Sequence, residues 1–134
     1  MAQSAGGFAR AKQPTEQPKI SLREVQIVDF ENLKVGDRIQ LDVGDVIQSL
    51  TSEQIKPTTG LLTGWTMEVA RVFVDGGAVR FRDDQGGDPT ATDGDVLNDG
   101  DYWHLVGASV SQFKVISQSG TVKVNVTPFY KFGS

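Results

Sequence analysis

The chain has 134 residues, a formal net charge of −4, no Cys and a single His. That length fits one domain, large enough to fold without a disulfide or a metal. The missing Cys and lone His exclude disulfide scaffolds, Cys-ligated zinc, iron–sulfur clusters, thiol nucleophiles and H-E-x-x-H sites, and no apolar run approaches the roughly 18 residues of a membrane-spanning helix.

The first 19 residues differ from the rest. They are rich in Gln, Gly, Ala and Pro, with Phe8 the one large apolar side chain after Met1. Pro14 and Pro18 break any regular element. Residues 1–11 have no apolar stretch of the signal-peptide kind. Arg10, Lys12 and Lys19 against Glu16 give the segment a charge of +2, which leaves −6 for residues 20–134. We read residues 1–19 as an extended basic arm and residues 20–134 as a single β-domain. A polar arm of this composition cannot bury enough apolar surface to offset its own entropy, so it needs a partner to hold it.

Beyond the arm the period is two. Leu22–Phe30 is rich in Val and Ile and reads as a strand. Leu33–Asp37 is a turn into Arg38–Val43, where Ile39, Leu41 and Val43 alternate with polar neighbours. Val46–Ile55 is ambiguous between a short helical turn and a polar edge strand. Trp65–Val74 is apolar at both parities, with Met67, Val69 and Phe73 on one face and Ala70, Val72 and Val74 on the other. Such a strand is expected at the centre of a sheet. Asp75-Gly76-Gly77 then leads into Val79–Arg82 and predicts a hairpin. Asp83–Asp101 is a long acidic loop. Tyr102–Val106, Val110–Ser117 and Thr121–Phe129 read as the last strands, with a second hairpin turn at Ser119-Gly120 and with Pro128 marking an edge or an exit. About seven or eight short strands between Gly-rich turns predict an all-β fold, an antiparallel β-sandwich or small barrel.

The motifs give little chemistry. The acidic loop offers Asp93, Asp95, Asp99 and Asp101 in Asp-Gly-Asp spacing, which suits oxygen ligation of calcium. The EF-hand pattern is absent, and Asp and Gly also build turns. Asp83, Asp84 and Asp88 sit in the same loop and read as solvated. Paired carboxylates for glycoside hydrolysis would need an apolar wall to raise one pKa, and the loop has none. His104 with Ser109 or Ser111 would need a buried Asp and an oxyanion hole, and there is no G-x-S-x-G elbow. Parity instead puts Tyr102 and His104 on one face, with Trp103 and Leu105 in the core. Trp65 also reads as core. The Gly pairs lack the context of a phosphate loop. Arg71, Arg80 and Arg82 in an acidic chain do not make a nucleic-acid surface, and Arg80 and Arg82 are expected to pair with acids. Phe129, Tyr130 and Phe132 crowd the C-terminal end. They are expected to fold back on the domain or dock on a partner.

Asn98–Leu105, Val110–Val115 and Gly120–Thr127 together resemble the closing strands of small β-sandwich virion proteins of tailed phages, head decoration proteins among them. The resemblance covers the last third of the chain, and the acidic loop departs from it. It implies a structural, non-enzymatic role in the virion and multimeric or lattice-bound assembly. The implied partners are other virion proteins, either a major capsid protein or sister subunits, with no cofactor, nucleic acid or membrane. Phe8, Arg10, Lys12 and Lys19 in the arm and Phe129, Tyr130 and Phe132 at the other end are the expected partner contacts. The alternative is a receptor- or carbohydrate-binding β-domain of a tail or fibre, assisted by calcium at Asp93–Asp101.

Overall fold

A computed structural model describes residues 30–133. The arm, with Phe8, Arg10, Lys12 and Lys19, and all of the strand expected over Leu22–Phe30 except Phe30 itself lie outside the described residues.

Nine strands and two short helices are described, in the order β1 (Lys34–Val35), β2 (Ile39–Val43), β3 (Gln48–Ser49), α1 (Ser52–Ile55), β4 (Trp65–Asp75), β5 (Val79–Arg82), β6 (Asp95–Leu97), β7 (Tyr102–Val106), α2 (Ala108–Gln112), β8 (Lys114–Ser117) and β9 (Val122–Phe132). They form two antiparallel sheets, as an all-β reading requires, and neither sheet closes on itself. In the five-stranded sheet β9 lies between β4 and the β1/β2 pair, and β4 pairs on its other side with β7. The four-stranded sheet runs β3-β8-β5-β6.

One core joins them. Val43, Val72, Val74, Leu105, Val124 and Val126 from the first sheet pack with Val79, Phe81, Leu97 and Val115 from the second. The period-two reading holds where it is cleanest: Val122, Val124 and Val126 are buried while Lys123 is exposed. The ambiguous stretch resolves into β3 and α1. Thr51 caps α1 in a reciprocal capping box with Gln54, which satisfies two otherwise orphaned N–H groups.

Both expected hairpins are corrected. Asp75-Gly76-Gly77 turns the chain, with Gly76 at a φ of 101°, but β4 and β5 belong to different sheets. The reason is edge occupancy: β4 already bonds β9 on one side and β7 on the other, so β5 cannot pair with it. Ser119-Gly120 likewise carries the chain from β8 in one sheet to β9 in the other. The true hairpin is β5–β6, closed by the acidic loop. Val110–Gln112 is helical rather than extended, because Val110 and Phe113, three residues apart, both turn inward.

Pro128 sits inside a central strand rather than at its end. Its carbonyl accepts from Gly36 N–H at 3.0 Å. In an antiparallel strand the residue's nitrogen faces the same side, toward the gap between β1 and β2, where no ladder bond calls for the missing N–H. The face assignment within β4 also changes. The register slips between Phe129 and Tyr130, which pair with Val69 and Met67 and leave Glu68 as the extra residue of a bulge. Met67 therefore joins Val72 in the core, while Val69 is buried against the opposite face.

Tyr130 fixes this end of the sheet. Its ring is 4% exposed, and its hydroxyl donates to Gln54 O at 2.8 Å. Burial pushes its pKa up, with Asp37 adding to the shift. A Cβ on Gly36 would lie 2.6 Å from Tyr130 Cε2. Gly36→Ala is therefore expected to cost about 1–3 kcal/mol through overpacking, read from a urea melt, and an unchanged midpoint would refute the close packing.

Candidate functional site

The acidic loop is a structural device. Arg82 Nη2 meets Asp93 Oδ2 at 3.2 Å, and Lys114 Nζ meets Asp88 Oδ1 at 2.8 Å. Arg80 Nη1 donates to Gly94 O at 3.0 Å. Asp84 accepts from Gly86 N–H, Asp101 from Asn98 N–H, and Asp99 reaches across to accept from Gly76 N–H at 2.9 Å. Asp99 and Asp101 thus brace the crossing between the sheets, and Val74 N–H donates to Asp101 O beside them. Among the described residues no group of three His, Cys, Asp or Glu converges on a point where a metal ion could sit. Asp83 is not solvated: it is buried, and Trp103 Nε1–H donates to its Oδ2 at 3.2 Å.

That bond also bears on His104. The buried carboxylate a catalytic triad would need lies with Trp103, and neighbours alternate across a strand, so it is on the opposite side of β7 from His104. Ser111 Oγ donates to Ala108 O within its own helix.

The opposite side of that sheet is the more informative surface. Cross-strand register places Arg71 beside His104, Phe73 beside Tyr102, and Val69 beside Val106 on one side and Phe129 on the other. Parity turns all of these away from the core. A turn closed by Leu33 N–H on Phe30 O holds Phe30 over them, with ring centroids 4.8 Å from Phe129 and 5.6 Å from His104. Tyr102 meets His104 edge-on at 5.6 Å. The result is an aromatic face with Tyr102 59% and Phe73 41% exposed. Phe30, Arg71, Phe73, Tyr102 and His104 line a cavity of about 380 Å³ on it.

The C-terminal aromatics divide between environments. Tyr130 is in the core, so it is withdrawn from the expected contact set. Phe129 is half-buried on the aromatic face, with the Arg71 guanidinium 5.8 Å from its ring. Phe132 is exposed at the far end of β9, edge-on to Trp65 at 5.3 Å. Trp65 is half-buried at the rim of the core, and Lys34 Nζ sits over its ring. Sequence parity finds Tyr102 and His104. It misses Arg71, Phe73 and Phe30 as their neighbours, because only long-range register brings them there.

His104 is held below its usual pKa by burial and then by the Arg71 charge. Arg71→Ala is expected to raise the His104 midpoint, followed by NMR, while burial keeps it under 6.5. In linkage terms this depressed His contributes its full stability above about pH 6.5. That stability falls as pH drops through 6.5 toward the folded value, because the unfolded chain takes up the proton first.

A comparison with protein-family models found no match, and a comparison with curated proteins found none either.

Proposed function

We propose that the protein is a structural, non-enzymatic docking subunit, a virion assembly protein of the head-decoration kind. The outer face of its five-stranded sheet would lie on a capsid protein or a sister subunit. The observation that carries this reading is the row of Phe30, Phe73, Tyr102 and Val106, large apolar side chains gathered beside one cation on a face that turns away from the core. Grouped aromatics with Arg are what protein interfaces concentrate. Two sheets around one core supply a rigid platform, and the basic arm adds a second contact. Repetition over a lattice multiplies modest affinities.

The test is co-sedimentation of the full chain with purified phage heads. Saturable binding is expected, and its absence overturns the reading. A chain lacking residues 1–19 is expected to keep its melt and lose most of its binding, because the arm contributes contacts the domain cannot replace. Undiminished co-sedimentation would remove the arm from the mechanism.

One observation favours a second reading, a carbohydrate-binding domain of a tail or fibre. The exposed Tyr102 ring beside Phe73 offers the flat apolar surface on which a sugar ring stacks. A glycan screen decides it.

A further inference from the structure

We propose that the cavity lined by Phe30, Arg71, Phe73, Tyr102 and His104 receives a carboxylate carried beside an apolar or aromatic side chain on a protein partner. This inference rests on the docking reading and names the chemistry of its central contact.

The chain is acidic overall, yet among the described residues no carboxylate lies within ion-pair distance of Arg71. Arg80 has a backbone carbonyl and Arg82 has Asp93, whereas Arg71, in the aromatic cavity, has neither kind of partner among the described residues. It is exposed, and it lies over the Phe129 ring at 5.8 Å. A planar guanidinium matches a carboxylate with two parallel hydrogen bonds. His104 is depressed in pKa, so at neutral pH Arg71 is the cation of the cavity.

Phe30, Phe73 and Tyr102 flank the cation with apolar surface, and the face continues into Val106 and Phe129. A ligand filling the cavity would need an apolar body next to its charge. Sugar hydroxyls are held by carboxylates and amides, and among the described residues no Asp, Glu, Asn or Gln lines the cavity. A protein segment with Asp or Glu beside an apolar or aromatic residue fits both the charge and the walls.

The experiment titrates the uniformly ¹⁵N-labelled full chain with N-acetylphenylalanine, its amide and N-acetylneuraminic acid. N-acetylphenylalanine is expected to shift the amides of Arg71, Phe73, Tyr102 and His104, and the amide to bind at least about ten-fold more weakly. Arg71→Gln is expected to abolish that preference without moving the thermal melt. Equal binding of acid and amide, an unaffected Arg71→Gln variant, or no shifts at about 20 mM would overturn the proposal. Tighter binding of N-acetylneuraminic acid would replace the protein partner with an acidic sugar. Co-sedimentation separates this inference from the docking reading. If Tyr102→Asp loses binding to heads while Arg71→Gln retains it, the docking face stands and the carboxylate contact falls.

Discussion

Phe81→Ala is expected to remove about 3–5 kcal/mol of folding stability. Phe81 is fully buried on β5, the strand that pairs with both β6 and β8. Its ring lies 6.0 Å from that of Phe113, also buried, at an interplanar angle of 46°. Truncation loses the transfer free energy of the ring and leaves a cavity under a strand bonded on both edges, so collapse is restricted. Domains of this size hold roughly 5–15 kcal/mol in total, and each kcal/mol is worth about 4–8 °C in Tm for a chain of about 100 residues. The variant should therefore melt at least about 12 °C lower than the parent. Leu61→Ala is the matched control. Leu61 is 96% exposed, so its loss should stay within about 0.5 kcal/mol. A Phe81→Ala melt indistinguishable from that control would mean that the second sheet is not part of one cooperative core.

The contrast between Phe81 and the turns beside it shows which parts of the fold the residues announce. Val79 and Phe81 alternate with Arg80 and Arg82, and that pattern settles which side chains are buried. It does not settle what the strand pairs with. Asp75-Gly76 reverses the chain in the manner of a hairpin, but pairing depends on a free backbone edge, and β4 has none left. Gly77 shows how tight the crossing is: a Cβ there would lie 2.8 Å from Val122 Cγ2. The helical turn at Ala108–Gln112 was obscured for a different reason. Val110 and Phe113 fit a period of three as well as an irregular strand, and five residues are too few to decide. Asp83 reads as one acid among seven in its loop until the indole of Trp103, twenty positions on, supplies its donor. The candidate face follows the same division. Tyr102 and His104 are legible by parity alone. Arg71 and Phe73 join them through the β4–β7 register, and Phe30 through a turn with Asn32 at a φ of 67°.

That face yields the largest expected functional effect. The double variant Phe73→Asp, Tyr102→Asp places two carboxylates where the partner's own carboxylate would sit, and removes both aromatic walls. Interface aromatics commonly carry about 2 kcal/mol or more each, and like-charge contact adds to the loss. Binding to phage heads is expected to weaken by at least about a thousand-fold, which in co-sedimentation reads as none. Stability should change little by comparison. Both side chains are exposed, so each substitution costs about 1 kcal/mol or less, mostly through the poor strand propensity of Asp. Leu105→Asp, one position beyond His104 on the same strand, is the opposite case. Leu105 is fully buried, and an unpartnered carboxylate there is expected to unfold the domain. The pair of results separates the two sides of β7: one carries the core and the other the contact. A double variant that melts like the parent and still co-sediments would show that the heads are bound through some other surface. Loss of binding at an unchanged melt would place the contact on β4 and β7.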